Sequence, residues 1–173
     1  MVNIIPLSNS SAFWTISQEG SSRDLHSTIN FAVKLAINST SLKKEKLKIN
    51  VHCCNDRKIQ HLSNKTNIDA LNNDEINKND RPLINTLIIK AEDQSSDFDI
   101  EKFLGDIYIC INSVKKEAAN ENKLFINYLY KNLINATLQL TQRYDNANEI
   151  NSAKLKKKEK EILEIIGIKS SDI

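Results

Sequence analysis

Residues 124–140 include Phe125, Ile126, Tyr128, Leu129, Tyr130, Leu133, Ile134, Ala136, Leu138 and Leu140, which would cover more than one face of a helix. A helix apolar on most of its circumference cannot lie on a surface and must be enclosed by other elements. This requirement predicts a fold arranged around one central helix. A chain of 173 residues suits one domain with one core, and 40% hydrophobic with 27% charged residues is the composition of a folded protein.

The remaining pattern supplies the enclosing elements. Residues 2–7 form a short apolar run cut by Pro6, a first strand. Leu25, Ile29, Ala32, Val33, Ala36 and Ile37 recur at helical spacing, with Asp24 placed to cap the start and Asn38, Ser39 and Thr40 to end it. Leu47, Ile49 and Val51 alternate with Lys48, Asn50 and His52, the period of a half-buried strand that continues into Cys53 and Cys54. Asn55 or Asp56 can then cap a short helix carrying Ile59 and Leu62. Residues 84–91 are a further strand, as are Ile107, Ile109 and Ile111 with their alternating partners, and Ser113 is placed to cap the segment after them. A last helix over 152–166 turns Leu155, Ile162, Ile165 and Ile166 inward, and Gly167 is placed as its left-handed terminator with Ile168 as the apolar lid. Two polar stretches, 64–80 and 92–101, are expected to be long loops. Strands and helices mix without strict alternation, which predicts an α+β domain spanning 1–173. It would hold a small mixed sheet and about four to five helices, one central and buried.

Several function classes are disfavoured. No G-x-G-x-x-G and no G-x-x-x-x-G-K-S/T is present, so no nucleotide cofactor is expected. No basic leader precedes an apolar run and no stretch is long enough to span a bilayer, so a cytoplasmic protein without membrane contact is expected. Cys53, Cys54 and Cys110 are an odd set with an adjacent pair, which reads as buried thiols rather than a disulfide framework. The net charge of +2 is weak support for nucleic acid, so any such argument depends on where the charge sits. Heavy use of Asn, Lys and Ile reads as compositional bias of the gene. His52, Cys53 and Cys54 cannot converge on a metal, because successive strand residues point to opposite faces. His26 and His61 match no local ligand spacing.

One run carries a family likeness. Leu104-Gly105-Asp106-Ile107-Tyr108-Ile109-Cys110, followed by Val114, Glu117 and Ala118, resembles the L-G-D strand and V-x-x-E-A helix start of the YbeY endoribonucleases. Counted on without a gap, residues 135–146 align with that family's H-G-x-L-H-L-x-G-Y-D-H. Leu138, Leu140, Tyr144 and Asp145 keep the frame, with one extra residue between Leu140 and Tyr144 and both glycines gone. Asn135, Gln139 and Asn146 stand where the family has its three histidines. Leu155, Glu161, Ile162, Leu163 and Gly167 fit the family's last helix. Upstream, Asn55, Asp56, Ile59 and Leu62 resemble V-x-D-x-x-I-x-x-L-N, and Asp80-Arg81-Pro82 with Asn85-Thr86-Leu87 resembles D-x-P-T-N-V-L. The family's arginine just beyond has no counterpart; Asn67 is the nearest position.

The resemblance implies a fold, a reaction and a cofactor. The family cleaves single-stranded RNA in ribosomal RNA maturation, using one zinc ion on three imidazoles to activate water. Here the two positions one helical turn apart offer only neutral amide oxygens, and Asp145 is the one charged oxygen ligand nearby. The bland reading of Asn135 and Gln139 is a hydrogen-bonded polar pair on a buried helix. No catalytic residue is assigned, no cofactor is expected, and whether the chain is an enzyme stays open. The lysines of the last helix, Lys154, Lys156, Lys157 and Lys158, read most simply as a solvated face. With Arg143 they could instead follow an RNA backbone. The expected role is a ribosome-maturation factor with degraded catalysis, partnered by ribosomal RNA or a ribosomal protein. The alternatives are an active metal-dependent endoribonuclease with a rebuilt site, a non-enzymatic interaction protein, or a chain that folds but has lost its task.

Overall fold

The apolar segment forms one helix, and the other elements are arranged around it. The computed structural model describes residues 2–5, 15–18, 21–44, 46–68, 85–91, 102–142 and 152–173. In chain order these give β1 (Val2–Ile5), β2 (Thr15–Gln18), β3 (Ser21–Asp24), α1 (Leu25–Asn38), β4 (Leu47–Cys54) and α2 (Asp56–Ile68). They continue with β5 (Thr86–Lys90), β6 (Lys102–Cys110), α3 (Ile111–Asn120), α4 (Phe125–Gln142) and α5 (Ser152–Ile165). Helix α4 contacts α1, α3, α5, β5 and β6, and its Leu129, Leu133, Ile134 and Leu140 are fully enclosed. Among the described residues, no helix is long and apolar enough to cross a membrane.

The sheet is mixed, as the α+β reading requires. Its order is β1-β4-β6-β5, with β1, β4 and β6 parallel and β5 antiparallel on β6. The alternation read in the sequence sorts β4 as expected. Leu47, Ile49, Val51 and Cys53 enter the main core with α1 and α4, while Lys48, Asn50 and His52 are half-buried on the other face. Helix α2 covers part of that second face through a smaller cluster of Cys54, Ile59 and Cys110, with Leu87 and Tyr108 beside it. All three cysteines are buried thiols, and burial pushes Cys53 up to about 11 and Cys54 to about 12, so neither is a ready thiolate at neutral pH.

Between β4 and β6 the register slips: Lys48 pairs with Phe103 but Ile49 pairs with Gly105, so Leu104 is an extra residue. This bulge turns Leu104 into the core and leaves Gly105 at φ +140°. A Cβ at Gly105 would collide with the carbonyl oxygen of Ile89 and come within 3.0 Å of Leu140 Cδ2 and 3.1 Å of the Ala91 nitrogen. Absence of a side chain therefore lets the edge strand β5 close onto β6 and α4.

Helices α3 and α5 stop by the same device. Gly167 at φ +82° closes α5, with Ile168 N–H donating to Leu163 O and Gly167 N–H to Glu164 O. Asn122 at φ +58° closes α3 in the same pattern, through Lys123 N–H to Ala118 O and Asn122 N–H to Ala119 O. Asparagine is among the few side chains that tolerate this conformation.

Several expectations need correction. The loop expected over 64–80 starts later, because α2 runs to Ile68; residues 69–80 lie outside the described residues. The loop expected over 92–101 lies wholly outside them. Ile111 opens α3 rather than ending a strand, and Ser113 is not its cap: Cys110 holds that position without a side-chain bond. Asn55, not Asp56, caps α2, accepting the Lys58 N–H at 2.9 Å. Ile165 faces solvent at 72% exposure, and Leu163 takes its place inside.

Candidate functional site

A cleft of about 370 Å³ opens between the edge strand and the central helix. One wall is Asn85, Thr86, Leu87 and Ile88, leading into and along β5; the other is Asn132, Asn135, Ala136 and Gln139 on α4. Residues 132, 135, 136 and 139 share one helix face by their three- and four-residue spacing. Among the described residues, the wall side chains include four amides and one hydroxyl, and no ionisable group.

The amides are held by a chain of hydrogen bonds. Gln139 Nε2 donates to Asn135 Oδ1 at 2.6 Å, and Asn135 Nδ2 donates to the Glu159 carboxylate on α5. Asn132 Nδ2 donates to Tyr128 O at 2.9 Å, and Thr86 Oγ1 reaches Asn132 Oδ1 at 3.5 Å. Asn85 Nδ2 donates to Glu117 on α3. Two carboxylates thus stand behind the amide wall as acceptors. Glu159 is absent from the residues singled out by sequence. A signal for it exists: it lies four residues after Leu155 and three before Ile162, on the inward stripe of an amphipathic helix.

A family model described as Endoribonuclease YbeY matches residues 13–167. The chain belongs to the YbeY endoribonuclease family. The protein named Endoribonuclease YbeY of Vesicomyosocius okutanii subsp. Calyptogena okutanii (strain HA) is 38% identical over 68 residues, 39% of this chain and 46% of that protein. The aligned segment thus spans less than half of that relative.

Membership corrects the expectation that no cofactor is involved: YbeY proteins are metal-dependent endoribonucleases, so a metal belongs to the family's reaction. The donors present at the cleft do not fit that ion. Asn135 commits its oxygen to Gln139 and an N–H to Glu159. Zinc prefers imidazole and thiolate to neutral amide oxygen. Among the described residues no group of three or more His, Cys, Asp or Glu could hold a metal ion. Asn146 and Asp145 of the expected ligand set, and Arg143 of the expected RNA surface, lie outside the described residues. The lysines Lys154, Lys156, Lys157 and Lys158 are on α5, where Lys157 pairs with Glu161 at 4.0 Å and Lys160 with Glu164 at 3.9 Å.

The YbeY motif residues outside the cleft have structural partners. Asp106 Oδ1 accepts from Asn50 Nδ2 at 2.9 Å and meets His52 Nε2 at 2.8 Å, while the His52 ring stacks on Tyr108 with centroids 4.4 Å apart. This group lies across the sheet from Cys53, so His52 and Cys53 do not converge. Asp56 joins the starts of α2 and α3: its Oδ1 accepts from Cys110 Sγ at 2.8 Å and from the Ser113 hydroxyl, and Lys116 lies 3.8 Å from Oδ2. Those two bonds, then Lys116, hold the Asp56 carboxyl below its ordinary value. A carboxylate with a depressed folded pKa stabilises the protein above its unfolded value, and that contribution is lost as pH falls through the folded one. The Asp56→Asn variant is therefore expected to have a lower urea midpoint than the parent at pH 7, with the gap closing below about pH 3.9, the unfolded aspartate value. A gap that stays constant down to about pH 3 assigns Asp56 no electrostatic role in stability.

Proposed function

We propose that this protein binds RNA in the cytoplasm as a ribosomal RNA maturation factor, with endoribonuclease activity strongly degraded. What supports this reading is the Gln139–Asn135–Glu159 chain: amides bonded to one another stand at the two positions where the sequence resemblance puts imidazoles. Loss of second-sphere partners alone costs metal sites about 10–100-fold, so replacing inner ligands is expected to cost at least about 100-fold in cleavage. The test is cleavage of single-stranded ribosomal RNA fragments with zinc supplied, beside a family member that retains three histidines. A rate within tenfold of that enzyme overturns the degraded-catalysis reading in favour of a rebuilt site.

RNA binding is tested separately. Lys154 and Lys156 are exposed on α5, and together with Lys157, Lys158 and Arg143 they offer charge for phosphates. Lys157 already faces Glu161, which lowers its share. Replacing Lys156, Lys157 and Lys158 by Gln is expected to lower the log–log salt slope of binding by about one to three units. An unchanged slope means the lysines are merely solvated.

A further inference from the structure

Two of the three buried thiols meet on the α2 side of the sheet. We propose that Cys54 and Cys110 form a redox-sensitive pair, which a thiol oxidant closes into a reversible disulfide that takes the Cys110 donor away from Asp56.

The topology brings the pair together. Cys54 ends β4 and Cys110 ends β6, and the two are register partners on adjacent parallel strands. Such partners point their side chains to the same face, and both thiols enter the small cluster with Ile59 of α2. Neighbouring strands lie about 4.7–4.9 Å apart, within the about 4.4–6.8 Å between Cα atoms that a disulfide spans. Each residue is the last of its strand, so the backbone beyond it can adjust without breaking a ladder. Cys53 faces the main core, so a bond between the adjacent Cys53 and Cys54 would have to turn one of them out of β4.

Access depends on α2. Cys54 and Cys110 are 4% and 0% exposed. Burial holds the Cys54 thiol up at about 12 and raises Cys110 as well, so the covered pair is inert. The cover is weak: among the described side chains of α2, Ile59 is the one buried apolar residue, and Asp56 ties the helix start to α3. Elements held by few buried apolar contacts open locally more often than the core does. Opening removes the burial that raises both thiols, and Lys58 favours the Cys54 thiolate. Cys54 is therefore the first sulfur to react.

With diamide as oxidant, the Cys54 thiolate adds to one nitrogen of the N=N bond and the other nitrogen takes up a proton. The Cys110 sulfur, giving up its proton, then attacks Cys54 Sγ; the S–N bond breaks and the oxidant leaves as the hydrazine. Hydrogen peroxide takes the same two electrons and two protons through a sulfenic acid, its O–O bond breaking and both oxygens leaving as water. Closure acts on the joint between α2 and α3. Cys110 Sγ donates to Asp56 Oδ1 at 2.8 Å, and that bond is the largest of the influences that lower the Asp56 carboxyl. A disulfide sulfur has no proton to give, so oxidation leaves Asp56 with Ser113 and Lys116.

The test treats the folded full chain with diamide at about pH 8, where uncovered thiols ionise, then unfolds and alkylates it. One of the three thiols is expected to stay reactive, dithiothreitol to restore all three, and peptide mapping to find Cys54 joined to Cys110. Cys53→Ala is expected to form the bond and Cys110→Ala to form no intrachain bond. Mapping of the parent decides the pairing even where a variant fails to fold. In the oxidised state the urea-midpoint gap between the parent and Asp56→Asn is expected to be smaller than in the reduced state. Three reactive thiols after diamide, a Cys53–Cys54 or interchain bond, or an undiminished gap each overturn the proposal.

Discussion

Gly105→Ala is expected to destabilise the protein by about 2–5 kcal/mol, combining the cost of a left-handed conformation for a residue with Cβ and of overpacking a filled interior. The residue sits at φ +140° beside the bulge, and an added methyl meets the Ile89 carbonyl, Leu140 Cδ2 and the Ala91 nitrogen. Two of those neighbours are backbone atoms of the edge-strand segment, which cannot yield without loosening its pairing with β6. Leu140 belongs to the central helix and is fully buried, so it has no space into which to retreat. Small domains are stable by only about 5–15 kcal/mol, so the variant is expected to lose a large share of the total. Gly167→Ala is the control: φ is +82° there, but nothing lies within 4 Å. Only the backbone cost of about 1–2 kcal/mol remains. Urea unfolding of both variants checks the comparison. Equal midpoints for the two would mean that the approach of β5 to α4 is not what Gly105 permits.

Restoring all three histidine positions is expected to bring back tight zinc binding, by at least about 100-fold over a protein restored at only two of them. Asn135 and Gln139 lie one helical turn apart and both face the cleft, so Asn135→His with Gln139→His places two imidazoles together. Glu159 adds a favourable element: it already accepts an N–H from position 135. A carboxylate there can orient an imidazole and raise its basicity, as outer partners do in zinc sites. Two ligands alone are expected to bind zinc weakly. The third needs Asn146→His, deletion of Arg143 and Gln142→Gly, which return the family's spacing and its turn glycine. Zinc titration of the two variants, followed by cleavage of single-stranded RNA, tests the series. If the fully restored chain folds but gains no zinc affinity over the double variant, the alignment of 135–146 with the family's metal segment fails.

The elements legible in the sequence are those whose burial follows a simple period. The alternation through Leu47, Ile49 and Val51 needs only a one-sided sheet, and the apolar circumference of α4 needs only enclosure. Gly167 is legible because a left-handed stop after an amphipathic run leaves few other choices. The β2–β3 hairpin escapes such reading, since Thr15–Gln18 and Ser21–Asp24 are short, largely polar and carry no Asn-Gly or Asp-Gly turn. Ile111 reads as strand because alternation continues one residue past the point where the chain turns helical. At the site, the i, i+4 placement of Asn135 and Gln139 on a single face is readable. The inward place of Glu159 on its helix is readable too, but its meeting with Asn135 is not, because the two arrive from different helices. Asp56 reads as a possible cap, yet its carboxylate spans to Cys110 and Ser113, a pairing that only the register of β4 with β6 brings about.

Strand β4 lies between two parallel neighbours, β1 and β6, with Ile49 opposite Val2 on one side and Gly105 on the other. Both partners are distant in the chain, so the central ladder cannot zip from a hairpin; each side requires a long loop to close before the first pairing forms. Contacts of this kind slow folding, whereas α3 and α4, joined by the tight turn at Asn122, can meet early. The assembly order expected from this topology is a helical pair first and a sheet second. In such an order the apolar inner residues of β4 and β6 would stay uncovered longest, the stage at which a chain is most open to aggregation or chaperone capture.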